Sequence, residues 1–360
     1  MTKSVEVERQ DQALTWLVGS EVPSVRYLTL RDLLGRPEND PDVVVARKRI
    51  ASWSPIEELL AEQQPNGYWG EPEDVYWPKW RATVWPLILL AEMGVPGELS
   101  AVKRSCEYFL RIMVAQDRSW PPPDLSEKDG QGQWPAWRSV WEPCVTGNMA
   151  RTLTVLGFGE DRRVRDMFEW LVRTQLPDGG WNCEPGAWGK EVFHSSFMST
   201  VEPLWAFSAL PSQKWPKGGR EAVERACEFM LIHRLYKSDK TGQVIHEWWT
   251  KLHFPLFYFY DILHGLRVMT AIGYGKDERM RDSIELLLSK RLPEGTWALE
   301  GSFVDTPKKN LVKDSATGQW AVMKGEKVTD VPQVYSSLGP IGQPSPWITL
   351  NALRVLKGRE

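Results

Sequence analysis

The side chains best suited to chemistry lie in the middle of this 360-residue chain. Cys183 is followed directly by Glu184 and, after a short segment, by His194. A cysteine near a histidine or a helix N-terminus loses its proton readily and can act as a nucleophile or an acid. The spacing therefore predicts catalytic roles for Cys183, Glu184 and His194. The alternative is an unreactive buried cysteine and a histidine that caps a helix.

Three acidic residues, Glu142, Glu202 and Asp261, lie in stretches that otherwise consist of apolar side chains. An ionised acid in such surroundings is costly unless it is paired, and desolvation raises its pKa. We therefore predict that Glu142 and Glu202 are catalytic proton donors, with His253 as a second catalytic histidine. The alternative is that these acids are structural. His264 follows Asp261 by three residues, so those two are expected to form a buried pair.

Tryptophan is unusually frequent, with 20 Trp against 9 Tyr and 11 Phe. Many of these residues fall in polar connecting segments, where an exposed apolar surface needs a reason. They are predicted to form the wall of a pocket for a small hydrophobic molecule, and packing between loops is the alternative. The predicted substrate-binding residues are Trp77, Trp80, Trp137, Trp141, Trp188, His246, Trp248, Trp249, Tyr258 and Tyr260.

Metal binding is not indicated by the cysteine and histidine spacing. Cys183, His194, His246 and His253 could supply nitrogen and sulfur ligands, but no C-x-x-C pair or other zinc spacing occurs. The sequence therefore predicts no metal and no cofactor. The four cysteines show no disulfide framework either, which favours reduced thiols in a cytoplasm.

The composition narrows the classes of partner. Lys and Arg number 44 against 47 Asp and Glu, a net charge of -3, so the chain lacks the basic excess typical of nucleic-acid binding. No apolar run reaches the roughly 18 residues that a bilayer crossing requires, and the first residues are too polar for a secretory signal. We expect no nucleic-acid partner, no membrane span and a cytoplasmic location. A peripheral membrane contact stays open.

A short motif, Pro-[Asn/Asp/Glu]-Gly-x-Trp, recurs at the ends of residues 63–69, 175–181 and 291–297. Its glycine predicts a turn, and its tryptophan offers a wide apolar face. We expect Trp69, Trp181 and Trp297 to pack between repeats and not to take part in chemistry.

Two classes of helical stretch alternate along the chain. One has apolar residues at i, i+3 and i+4, as in a helix with one solvated face, and the other is apolar nearly all round and must be buried on every side. The buried class comprises residues 25–34, 83–93, 144–156, 197–210, 257–272 and 347–356. The pattern predicts an all-α protein, an (α/α)6 toroid with six inner and six outer helices in a single domain spanning 1–360.

The connections of this expected toroid are unequal in length. Those that lead into the inner helices are long, and long loops in a compact domain usually carry function. All of them are expected on one face, and they comprise residues 65–79, 116–142, 176–194, 237–254 and 293–344.

Residues 175–181 match the pattern Q-x-x-[DN]-G-x-W and resemble the QW repeats of the terpenoid cyclase and protein prenyltransferase superfamily, which includes squalene-hopene cyclases. That resemblance implies an α/α toroid with an apolar, aromatic-lined central cavity. It does not extend to the chemistry, because the D-x-D-D and D-D-x-x-D motifs of those enzymes are absent. Residues 194–196 read His-Ser-Ser where prenyltransferases place an Asp-x-Cys zinc motif.

A second resemblance, to the linalool dehydratase-isomerase group, rests on Cys183-Glu184-Pro185 followed by His194. It implies that these residues flank a small terpenoid. Together the observations predict an enzyme that carries out acid/base chemistry, either cyclisation, isomerisation, hydration or dehydration, on a small hydrophobic molecule such as a terpenoid. The alternatives are a hydrolase that uses Cys183 or Ser195 with His194 or His253, a carbohydrate-active toroid, and a non-catalytic lipid-binding or scaffold protein.

Overall fold

The computed structural model describes residues 3–72, 74–115, 142–183, 194–302, 309–313, 320–324 and 332–359. Helices make up nearly all regular structure in these ranges, so the predicted all-α class is confirmed. One departure is an antiparallel hairpin of β1 (Lys309–Lys313) and β2 (Trp320–Lys324), in which Lys309 lies opposite Lys324. It falls in the segment 293–344 that was expected to be a loop. No helix in the described ranges has the length and apolarity that a bilayer crossing requires.

The α-helices are α1 (Lys3–Val18), α2 (Pro23–Leu28), α3 (Pro41–Ala51), α4 (Ser54–Ala61), α5 (Val84–Glu92), α6 (Ser100–Ala115), α7 (Pro143–Leu153), α8 (Arg162–Arg173), α9 (Phe197–Ser208), α10 (Gly219–Ile232), α11 (Ile262–Ile272), α12 (Arg281–Ser289) and α13 (Pro346–Lys357). Helices α2 and α7 each continue into a π-helical turn, Thr29–Leu33 and Thr154–Phe158 respectively.

Helices of the buried class have apolar side chains on all sides. In α5 every residue from Val84 to Ala91 is buried, as its unbroken apolar sequence requires. Helix α11 begins five residues later than the predicted 257–272, because Asp261 caps it: its carboxylate accepts the backbone N–H of His264 at 2.8 Å. The cap at Asp261 therefore sets the start of α11, although the apolar residues continue before it.

Helices of the amphipathic class bury one face. In α8 the buried residues are Val164, Met167, Phe168, Trp170 and Leu171, which recur at the spacing of one helix side. Helices α3 and α10 lie outside the stretches that the sequence pattern singled out. Helix α10 is nonetheless amphipathic, with an apolar side that is buried against α8 and α9.

The buried helices contact one another in a fixed order: α5, α7, α9, α11, α13 and α2. Helices α6, α8, α10 and α12 each pack against the member of this series that precedes them in sequence, and α8 also packs against α9. The C-terminal ends of the buried helices surround a cavity of about 380 Å³, which we call the arginine cavity. Every buried helix lines it, through Tyr27 and Leu28 of α2, Ala91 and Glu92 of α5, Arg151 of α7, Trp205 of α9, Arg267 and Thr270 of α11, and Arg354 and Val355 of α13.

The three motif tryptophans have the same surroundings. Each indole is buried and donates its N–H to a backbone carbonyl in the last turn of the preceding amphipathic helix. The pairs are Trp69 to Leu59 at 2.8 Å, Trp181 to Leu171 at 2.8 Å and Trp297 to Leu287 at 2.7 Å. Each tryptophan thus donates to a carbonyl at the end of an amphipathic helix, where the carbonyls lack donors from a following helical turn.

Threonines at the starts of α5, α9 and α13 complete each of these turns. The tryptophan backbone N–H donates to a threonine hydroxyl, and the pairs are Trp69 to Thr83 at 3.1 Å, Trp181 to Thr200 at 3.1 Å and Trp297 to Thr349 at 3.0 Å. The motif glycine is required for two reasons at Gly179, where φ is 102° and an added Cβ would lie 2.5 Å from the carbonyl oxygen of Arg225. Each turn thus fastens an amphipathic helix to the start of the next buried helix.

Candidate functional site

Two cysteines meet at the N-terminal ends of α7 and α9. The Sγ atoms of Cys144 and Cys183 are 3.1 Å apart, and both thiols are free. Cys144 lies in the first turn of α7, while Cys183 follows the Trp181 turn by two residues and donates its backbone N–H to the hydroxyl of Ser199 at 3.1 Å. The turn that fixes Trp181 therefore also holds Cys183 against α9.

The close approach of α7 and α9 explains why these thiols meet. Gly147 of α7 faces the backbone of α9, and a Cβ added there would lie 2.5 Å from the carbonyl carbon of Glu202. Only a glycine permits that separation. The two helix starts are consequently close enough for Cys144 and Cys183 to be in contact.

A chain of polar contacts runs through the cysteine pair. The Ser199 hydroxyl donates to Cys183 Sγ at 3.1 Å, and the Cys183 thiol donates to Cys144 Sγ at 3.1 Å. Cys144 Sγ in turn lies 3.9 Å from Glu142 Oε2. We call Ser199, Cys183, Cys144 and Glu142 the thiol relay. Its donors all point toward Glu142, so the carboxylate is the proton acceptor at its end.

The thiol of Cys144 stays protonated at neutral pH. Its contact with Cys183, followed by burial, raises the pKa of Cys144 well above the usual range for a thiol. A protonated Cys144 can pass a proton between its two neighbours, because it has one S–H to donate and a sulfur that accepts.

Two tyrosines lie beside the thiol relay. Burial raises the pKa of Tyr76 and Tyr258, and the negative charge that Glu142 and the cysteines carry when ionised raises both further. Both phenols therefore remain neutral and can donate hydrogen bonds. The Lys79 ammonium donates to the Tyr258 hydroxyl and lies 4.6 Å from the centre of that ring.

An aromatic wall continues from Tyr258. The Trp80 ring stacks on Phe257, with centroids 4.7 Å apart, and packs against Trp85 at 5.0 Å. Trp80 and Phe257 both have positive φ, 72° and 54°, which is rare for bulky residues and requires support from neighbours. Asn148 of α7 supplies part of it by donating to the Phe257 carbonyl at 2.9 Å. The wall is thus held in place by the same helix that carries Cys144.

The relay also has the donor set of a metal site. Ligand atoms of Glu142, Cys144 and Cys183 all lie within 4.8 Å of one another. Two thiolates and a carboxylate are ligands that suit zinc. This set differs from the one considered from the sequence, in which His194, His246 and His253 accompanied Cys183.

Glu202 and His264 form a buried pair one helical turn deeper than Ser199. Glu202 Oε1 lies 2.9 Å from His264 Nε2, and both side chains are buried. Burial raises the pKa of Glu202, and the neighbouring His264 opposes that rise. The expected pairing of His264 with Asp261 was wrong, because the Asp261 carboxylate binds the backbone N–H groups of His264 and His253 instead.

The remaining predicted residues that the structure describes have structural surroundings of their own. His253 is buried, and its ring stacks on Trp248 at 5.6 Å. His246 caps a short turn by accepting the backbone N–H of Trp248, while the buried Tyr260 hydroxyl donates to the Leu235 carbonyl at 2.7 Å. Trp249 packs on Phe197 at 4.7 Å and on Tyr260 at 5.2 Å. These contacts account for each side chain by packing or capping.

Two predicted residues lie at the surface. The His194 side chain is exposed, and its backbone carbonyl accepts a hydrogen bond from Asn182 at 2.7 Å. Trp77 is also exposed and lies edge-on to Tyr76. Four more, Glu184, Trp137, Trp141 and Trp188, lie outside the described residues.

Of the residues predicted from the sequence, the structure brings Glu142, Cys183, Tyr258 and Trp80 into one region. Sequence reasoning missed Cys144, Ser199, Tyr76 and Lys79 as members of it. A usable signal was present for Cys144, because it follows Glu142 by two residues at the start of a predicted inner helix.

Comparisons with known proteins add little to this geometry. No family model and no curated protein matches the chain. Among solved structures, a protein from Actinoplanes is similar at 17% identity, covering 98% of this chain and 99% of that one, with a TM-score of 0.44.

Proposed function

We propose that this protein is an enzyme that hydrates, dehydrates or isomerises a small apolar molecule, such as a terpenoid, by proton transfer at the thiol relay. The observation that carries the proposal is the chain Ser199, Cys183, Cys144, Glu142, which joins a half-buried thiol to a carboxylate beside an aromatic wall. Proton transfer needs a donor and an acceptor held within reach of each other, and the relay supplies both.

We further propose that the buried helices close into the ring of an (α/α)6 toroid. Support comes from the arginine cavity, which takes lining residues from all six of them. In such a ring the starts of the buried helices lie together at one end. That placement would put the thiol relay at the mouth of the ring, among the connections expected to carry function.

In the dehydration of an alcohol, the Cys183 thiol donates its proton to the leaving hydroxyl, the C–O bond breaks and water departs. Glu142 accepts a proton from the adjacent carbon, and the new double bond forms from that C–H pair. The proton then returns from Glu142 to Cys144, whose own proton passes to the Cys183 thiolate. The relay is restored, and hydration is the reverse sequence.

The aromatic wall suits this chemistry. Positive charge develops on carbon as the hydroxyl leaves, and the faces of aromatic rings stabilise a cation. Trp80 stacks on Tyr258 with ring centroids 6.3 Å apart, and Tyr76 is close enough to Glu142 and the two cysteines to feel their charge, so a substrate bound at the relay would have these rings beside it. The relay also needs both cysteines reduced, which a cytoplasm maintains.

A Cys-His hydrolase receives less support. Among the described residues, the side chains that hydrogen-bond to Cys183 are Cys144 and Ser199, whereas the His253 ring stacks on Trp248 and lies 3.4 Å from the Asp261 carboxylate. In the thiol relay Glu142 serves as the base, so neither His194 nor His253 is needed for proton transfer.

The test incubates the protein with small terpene alcohols and alkenes in D2O and follows products and deuterium incorporation by mass spectrometry. Cys183→Ser and Glu142→Gln should each lower turnover by about 10²-fold or more, the usual contribution of a positioned acid or base. Cys227→Ser, a buried cysteine on α10 away from the relay, is the matched control and should keep full turnover.

Two results would count against the proposal. Full turnover in Glu142→Gln would show that the carboxylate is not the proton acceptor. Loss of turnover on treatment with a metal chelator, with recovery on adding Zn²⁺, would show that Glu142, Cys144 and Cys183 act as metal ligands and not as a proton relay.

A further inference from the structure

The arginine cavity, at the other end of the buried helices, contains no member of the thiol relay. We propose that it is a binding site for a monocarboxylate with an apolar body. This inference goes beyond the proposed function, because it concerns different residues and requires no reaction.

Charge in the cavity is unbalanced toward the positive. The Arg267 and Arg151 guanidiniums share one carboxylate, that of Glu92, at N to O distances of 2.5 and 3.2 Å. Arg354 forms a third ion pair, with Asp32. The lining residues thus carry three guanidiniums against two carboxylates, which leaves one net positive charge within the described lining.

A single negative charge matches this excess better than a double one. The C-terminal ends of α5, α7, α9, α11 and α13 direct backbone carbonyls toward the same region, and their partial negative charge offsets part of the excess. The two negative charges of a phosphate dianion would therefore exceed the positive charge of the cavity, whereas the single charge of a carboxylate would not. The planar fork of a guanidinium also matches a carboxylate in shape.

Arg151 has donors to spare for a ligand. Its side chain is 13% exposed, and burial lowers its pKa to about 10 although Glu92 acts in the opposite direction. Glu92 is its one ion-pair partner within the described residues, although the Glu202 carboxylate also acts on it from a longer distance, and a guanidinium has five N–H donors. The Trp205 ring lies 4.2 Å from the Arg151 guanidinium and 5.1 Å from that of Arg267, so both cations are held at fixed positions.

Most of the remaining lining is apolar, and two of its residues are exposed to solvent. Leu28, Val155, Ala271 and Val355 supply aliphatic surface next to the guanidiniums. Val155 is 46% exposed and Ala271 is exposed as well, so these two residues mark the mouth of the cavity. A ligand that enters between them meets the arginines with its charged end and the aliphatic side chains with its body.

The experiment measures binding of octanoate to the full chain by isothermal titration calorimetry and by the shift in melting temperature. Octanol serves as the neutral probe of the same size, and inorganic phosphate as the anion without an apolar body. Octanoate should bind at least about tenfold more tightly than octanol, as expected for a charge-assisted hydrogen bond, and phosphate should give no shift.

Two variants localise the binding. Arg151→Gln should weaken octanoate binding about tenfold by removing a charged donor. Ala271→Phe places a larger side chain at the exposed mouth of the cavity and leaves the ion pairs intact. It should weaken octanoate binding, and it tests the site even if Arg151→Gln does not fold. Arg165→Gln, an exposed arginine on α8, is the control and should bind as the wild type does.

Equal affinity for octanoate and octanol would overturn the proposal, as would octanoate binding unchanged by Ala271→Phe. Phosphate binding as tight as that of octanoate would overturn the assignment of a monocarboxylate.

Discussion

The two ends of the buried helices carry opposite chemistry. At their starts lie mainly neutral thiols, hydroxyls and phenols joined by hydrogen bonds, as in the threonines beside each motif tryptophan and in the thiol relay, where Glu142 is the one carboxylate. At their C-terminal ends lie ionised groups, the guanidiniums of Arg151 and Arg267 around Glu92.

Backbone polarity accounts for this difference. A helix start presents unpaired N–H groups, which hydroxyl and carboxylate oxygens satisfy, whereas a helix end presents carbonyls with partial negative charge, which attract cations. One set of helices thus offers two kinds of site. Reaction chemistry is expected at the neutral end, and recognition of charge at the ionic end.

The largest expected effect is at the neutral end. Trp181→Ala should lower the free energy of unfolding by about 3 to 5 kcal/mol, because it removes a fully buried indole and the hydrogen bond to Leu171. Urea denaturation measures this change. Trp69→Ala and Trp297→Ala should lower the free energy of unfolding by a similar amount. A variant that loses less than about 1 kcal/mol would show that its turn contributes less to stability than the other two turns do.

At the ionic end, Glu92→Gln should lower the free energy of unfolding by about 3 kcal/mol at pH 7, because two buried guanidiniums lose their shared carboxylate. Its neighbouring arginines hold the pKa of Glu92 at about 2, against 4.5 ordinarily, although burial acts against them. The stabilisation is therefore complete above pH 4.5 and is lost as pH falls toward 2. Denaturation of wild type and variant across this range measures it, and a difference independent of pH would contradict this explanation.

Removing a threonine hydroxyl at the starts of the buried helices should lower the free energy of unfolding by a smaller amount. Thr200→Val should cost about 1 to 2 kcal/mol, since the Trp181 backbone N–H loses its acceptor. Thr152→Val is the matched control: its buried hydroxyl oxygen has no hydrogen-bond partner in the described structure, so the change should be neutral or slightly stabilising. Thermal unfolding of both variants compares them directly. Equal losses would mean that packing of the methyl group, and not the hydrogen bond, sets the cost.

The smallest effect is expected for His194→Ala, whose free energy of unfolding should stay within about 0.5 kcal/mol of the wild type. The side chain is exposed, and the backbone carbonyl of His194, not its ring, accepts the hydrogen bond from Asn182. Melting curves test this. A large destabilisation would show a structural role for the ring that the described contacts do not contain.

The local pattern of apolar residues was sufficient to predict many of the helices. The stretches 197–210 and 347–356 were predicted to within about two residues of α9 and α13, because an unbroken apolar run reports burial directly. The packing role of Trp181 also followed from the Gly-bearing turn before it. The β1–β2 hairpin was missed, since its short strands lie in a segment without a clear apolar period.

The candidate site was less accessible from the sequence. Cys183 and Glu142 were identified by residue type, but their connection runs through Cys144, and that contact depends on Gly147 letting two helices approach. Such a contact joins residues distant in sequence and leaves no periodic signal. For the same reason His264 was assigned to Asp261, its neighbour along the chain, while its partner Glu202 lies on another helix.

The ion pair between Arg354 of α13 and Asp32 beside α2 joins residues 322 positions apart, and Lys357 adds hydrogen bonds to the Asp32 and Leu33 carbonyls. Contacts of such long range form slowly and late. During synthesis on the ribosome, α2 has no α13 to pack against until the residues that separate the two helices have emerged. The last surface of the arginine cavity is therefore completed only once α13 is made, and the helices made earlier wait for it in a partly exposed state that chaperones would recognise.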